Sequence, residues 1–162
     1  MLRIACLLGC CILLAGTSCP GSSSLLTCSN NLDGSAFGFS LTVPAEYECA
    51  PTIPNPVALA NVGYRQASTG FAASVQVSPP QSGSIGDGLT VEDLGGVTNP
   101  NGFAFTRQKV TLEGIGISYV GGSVLDGGNN LFITLSAPSD DPALLQALDA
   151  IIATVNTATA AP

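Results

Sequence analysis

The side chains able to do chemistry in this chain are cysteines, serines, three tyrosines, a few carboxylates and very few cations. It has no histidine. That excludes every histidine-dependent triad and every histidine-ligated metal site. Serine is abundant, but Gly116-Ile117-Ser118-Tyr119 runs on to Val120, so the Gly-x-Ser-x-Gly elbow of the hydrolases fails. Lys109 is the base a Ser–Lys enzyme would use. Its spacing from Arg107 puts both on one strand face, which predicts a solvated pair instead. Two carboxylate pairs are adjacent in sequence, Glu92-Asp93 and Asp140-Asp141, and both suit helix capping. A glycosidase needs two carboxylates facing across a cleft, usually beside stacking aromatics. Aromatic residues are only 6% of this chain and tryptophan is absent. Asp126-Gly127-Gly128-Asn129-Asn130 offers oxygens to calcium but lacks the spaced acids of an EF-hand, so a hairpin turn is expected. Gly83-x-x-Gly86 and Gly114-x-Gly116 lack the strand-to-helix setting and the lysine of a phosphate loop. The sequence thus implies no cofactor, no metal and no catalytic residue.

The cysteines carry more. They stand at 6, 10, 11, 19, 28 and 49. The first three lie in a leader: Arg3, then an apolar run from Ile4 to Ala15, has the form of a secretory signal and is too short to span a bilayer. The small residues Ala15-Gly16-Thr17-Ser18 before Cys19 resemble the lipobox of bacterial lipoproteins, in which the cysteine is acylated and becomes the new N-terminus. Gly16 stands where that motif usually has leucine. Cleavage near Thr17 with plain secretion is the alternative. Parity favours acylation at Cys19, because it leaves Cys28 and Cys49 to form one disulfide in an oxidising compartment.

Length and charge fit such a protein. Of 162 residues only 9% are charged, and the net charge is −7. One domain of ordinary size is expected. An acidic chain whose basic residues beyond the leader are Arg65, Arg107 and Lys109 has no nucleic-acid surface. The expected organisation is a signal peptide over 1–18, a flexible Gly/Ser tether over 19–34, one domain over 35–156 and a disordered tail over 157–162.

Within the domain, Phe37, Phe39, Leu41 and Val43 alternate with small or polar residues and predict a strand ended by Pro44. Val57–Gln66 and Phe71–Val77 predict a hairpin around Ser68-Thr69-Gly70. Residues 78–88 predict a loop, and Thr90–Leu94 a single helical turn closed by Gly95-Gly96. Asn99-Pro100-Asn101-Gly102 is a turn signal ahead of a three-stranded meander over 103–112, 115–125 and 131–137. Leu144, Leu145, Leu148, Ile151, Ile152 and Val155 then line one helical face, with Asp141-Pro142 as cap and first position. The expected fold class is α+β: an antiparallel sheet of about six strands covered by the C-terminal amphipathic helix and a short middle helix. The alternative is an antiparallel β-sandwich with one helix. The tyrosines, Tyr47, Tyr64 and Tyr119, suit the edge of the core.

The order of these elements resembles the PsbP-like superfamily. Phe39-Ser40-Leu41-Thr42-Val43-Pro44 is similar to that family's opening strand, with Tyr47 near the place of its usual tryptophan. Gly102-Phe103-Ala104-Phe105, Leu131–Leu135 and Asp149–Val155 resemble its later strands and final helix. The resemblance covers roughly residues 35–156 and implies a binding or accessory role, since the superfamily shares no one activity. The function expected is therefore that of a non-catalytic envelope lipoprotein, lipid-anchored and facing outside the cytoplasm. Its partners would be the membrane, through the lipid, and an envelope protein or small apolar ligand, bound by the loop from Ser78 to Gly102. A secreted hydrolase with a histidine-free site and a purely structural envelope protein are the alternatives.

Overall fold

The computed structural model describes residues 26–52, 55–80 and 89–159. The leader, Cys19 and residues 81–88 of the loop expected over 78–88 lie outside the described residues.

Among the described residues, ten strands form two antiparallel sheets, accompanied by one α-helix. The small sheet has the order β1-β2-β10, from Asn31–Gly34 (β1), Phe39–Thr42 (β2) and Asn156–Thr157 (β10). The large sheet has the order β3-β4-β5-β9-β8-β7-β6. Its strands are Tyr47–Ala50 (β3), Ala60–Gln66 (β4), Ala72–Ser78 (β5), Leu89–Thr98 (β6), Ala104–Leu112 (β7), Gly116–Val124 (β8) and Asn130–Ala137 (β9). Helix α1, Pro142–Thr154, packs between β2 and the strands β8 and β9.

The α+β expectation with a middle helix is overturned: the described residues are mostly β, in two antiparallel sheets, with one α-helix near the C-terminus. Thr90–Leu94 belongs to β6. An isolated helical turn gains few hydrogen bonds for the dihedrals it fixes. The same residues pair with β7 along a ladder from Leu89–Leu112 to Thr98–Ala104. Asp93 does not cap a helix; its Oδ1 accepts from Gly95 N at 2.8 Å, within a bulge where Gly95 takes φ +81°. A glycine tolerates that conformation without a Cβ clash.

Three other boundaries move. The chain makes a 3-10 turn at Ser35–Phe37, and β2 begins only at Phe39 after Gly38 with φ +84°. The tether expected over 19–34 does not extend to its end, because Leu26 is fully buried and Asn31–Gly34 forms β1. The expected tail does not begin at 157, since Thr157 pairs with Phe39 and Ala158 N donates to Gly38 O. Local patterning hides these short strands: β1 pairs with β2 across the short 3-10 turn, and β10 acquires its partner only once α1 delivers the C-terminus beside β2.

Period-two alternation decides the core. Leu131, Ile133 and Leu135 of β9 and Val75 and Val77 of β5 point to the α1 side and are at most 1% exposed. Against them α1 sets Leu144, Leu148, Ile151 and Ile152, all buried. Asp141 Oδ1 accepts from Ala143 N at 2.8 Å, and Pro142 occupies the first turn, so the helix starts as its sequence dictates. Leu32, Phe39, Leu41 and Val43 extend the same core beneath the small sheet. Its apolar groups therefore collect on one side of the large sheet.

Candidate ligand surface

The two faces of the large sheet differ in chemistry, and the ionisable groups sort between them. On the helix-covered side, Arg107 binds Asp149 of α1 through both carboxylate oxygens, at 2.9 and 3.1 Å. Two residues along, Lys109 Nζ lies 2.6 Å from Asp140 Oδ2, and Tyr119 donates its hydroxyl to Asp140 Oδ1 at 2.8 Å. Glu92 is the register partner of Lys109 on β6. The lysine and the tyrosine hydroxyl hold the Asp140 carboxyl below its ordinary range, and the carboxylate in turn raises Lys109. Burial, then the adjacent carboxylate, pushes the Tyr119 phenol up. Through these contacts the residue before the Asp141 cap is tied to β7 and β8, which pins the start of α1 to the sheet.

The other sequence candidates disperse. Arg65 lies on the opposite face, level with Glu48 and Ala72, so the three cations make no common spot. Glu92 and Asp93 point to opposite faces of β6, and Asp140 and Asp141 have separate duties. Asp126–Asn130 closes the β8–β9 hairpin, with Leu125 N donating to Asn129 O and Gly128 N to Leu125 O. Of the stretch from Ser78 to Gly102, residues 81–88 lie outside the described residues and Leu89–Thr98 is strand β6. The final turn of the stretch is fixed by the buried Asn99, which donates to Ile152 O and Val155 O at 2.9 and 2.8 Å. Cys28 and Cys49 do come together, as a disulfide joining the chain ahead of β1 to edge strand β3.

The second face carries the candidate site. Cross-strand register aligns Asn61, Gln76, Phe132, Gly122, Thr106 and Gly96 in one row across six strands. The neighbouring row holds Ser78, Asn130 and Val124. Phe132 leans over Gly122: a Cβ there would meet the ring at 3.3 Å. Because Gly96 and Gly122 lack side chains, a hollow of about 420 Å³ opens beside the ring, bordered by Ala104, Thr106, Val124 and Asn130. None of its lining residues is ionisable. Val124 is 69% exposed at its rim. Towards β4, Asn55 donates to Gln76 Oε1, Gln76 donates to Ser78 Oγ, and Asn61 Oδ1 is buried without a hydrogen-bond partner.

Sequence reasoning missed this surface. The alternation that predicts β7, β8 and β9 also fixes which residues share the second face. Only the register shows that two glycines stand beside one phenylalanine. No family model matches the chain, and a search of curated proteins finds no match.

Proposed function

We propose that this chain is an exported, non-catalytic protein of a bacterial cell envelope, acylated at Cys19 and tethered to a membrane, where it binds another envelope component or a small ligand. The observation that carries the reading is the Cys28–Cys49 disulfide. Such bonds persist in oxidising compartments outside the cytoplasm. The pairing also leaves Cys19 as the unmatched cysteine beyond the leader, directly after its run of small residues. The uncharged hollow on the second sheet face supports a binding role over a purely structural one.

Intact mass spectrometry of protein extracted from membranes tests the proposal. The expected species begins at Cys19 and carries two or three acyl chains. A soluble, unacylated chain, or one that retains residues 4–15 in a reducing cytosol, overturns it.

A further inference from the structure

We propose that the hollow beside Phe132 binds a neutral saccharide, one ring of a glycan lying flat against the sheet. This deepens the binding role above by naming its ligand class.

The shape of the hollow limits what can occupy it. It opens to one side on a sheet face, so a compact apolar ligand would keep much of its surface in water. A ligand with one apolar face and polar edges loses little by such partial cover, and a sugar ring has that form. Its axial C–H groups suit the electron-rich face of Phe132, and its hydroxyls reach outward to hydroxyl and carboxamide groups. Thr106 and Asn130 at the border supply them: each donates one long hydrogen bond of 3.4 Å, to Gly122 O and to Pro79 O, and the Thr106 Oγ1 and Asn130 Oδ1 oxygens remain able to accept. Charge narrows the class further. The lining has no cation to hold an anionic ligand, and the chain as a whole carries −7. It has no carboxylate to hold a cationic one. Six strands at about 4.8 Å spacing make the row about 24 Å long, room for several linked sugar units.

A second hollow, about 350 Å³ against the small sheet, offers less. Its lining has no aromatic ring to stack on and includes the Asp33 carboxylate.

Two substitutions separate binding from folding. Gly96 has an ordinary backbone conformation, and a Cβ there meets only Phe105 O at 3.6 Å. Gly96→Val therefore puts a branched side chain into the hollow beside the ring while leaving the strand intact. Phe132→Ala removes the stacking ring. Purified protein, with or without an acyl group on Cys19, is titrated with hexamers of N-acetylglucosamine and of glucose, and with decanoic acid. The expected result is saturable binding of at least one hexamer, unchanged between about 50 and 500 mM salt. Phe132→Ala weakens it about tenfold, and Gly96→Val abolishes it at an unchanged melting temperature. Failure of both hexamers to bind, binding that survives Gly96→Val, or selection of decanoic acid over the sugars overturns the proposal. Because binding needs no anchor, its failure is distinct from a failure of acylation at Cys19.

Discussion

Asn99 is a polar side chain placed where only hydrogen bonds justify it. It is 5% exposed, donates to two carbonyls at the end of α1, and accepts from Asn101 N and Phe103 N. Removing it strands those carbonyls and amides in the core. Asn99→Ala should destabilise by about 2–3 kcal/mol, measured by urea denaturation. Asp140 acts differently, because its partners lie near the surface. Its folded-state pKa lies below the unfolded value, so its contribution is present above the unfolded pKa and is lost as pH falls through the folded one. Lys109 is shifted upward, so its contribution persists below the ordinary lysine pKa and fades only in strong alkali. Asp140→Asn should therefore lower the melting temperature at neutral pH and flatten its fall below about pH 4. A melting series from pH 2 to 7 reads this directly. The exposed pair adds little in high salt.

At the scale of elements, α1 and the sheet fit through one missing side chain. A Cβ at Gly121 would lie 2.8 Å from Ile152 Cδ1 and 3.4 Å from Leu148 Cδ1. Gly121→Val should thus lift the helix and cost about 1–3 kcal/mol, seen as a lower denaturation midpoint. The next residue points to the other face, so Gly122→Ala should cost much less, needing only a small shift of the Phe132 ring. This contrast between neighbours checks the register of β8 directly. The helix itself was legible, because its apolar stripe, Asp141 cap and Pro142 all act within one segment. The fate of Thr90–Leu94 was not. Those five residues carry a capping pattern and a strand composition together, and the choice belongs to β7, whose free edge they complete.

For the molecule as a whole, the disulfide connects two layers that otherwise share few backbone hydrogen bonds. Cys28 precedes the small sheet, and Cys49 sits on the edge of the large one, 21 residues later. Tyr64, buried on β4, donates to Ser29 O beside it. Cys28→Ser with Cys49→Ser should cost about 3 kcal/mol, mainly through the longer reach of the unfolded chain. Reductant should lower the denaturation midpoint of the wild-type chain and leave the double variant unmoved.

Sequence alone determined the helix, its cap, the hairpins around Gly70 and Gly128, the meander and the cysteine pairing. Each rests on residues close in the chain, except the cysteine pairing, which rests on the expectation that Cys19 is acylated and the leader removed. The small sheet, the strand at Leu89–Thr98 and the hollow beside Phe132 were decided by tertiary structure. A two- to four-residue strand exists only where another edge awaits it. A surface built from two glycines, a threonine and one ring on separate strands exists only after register has aligned them.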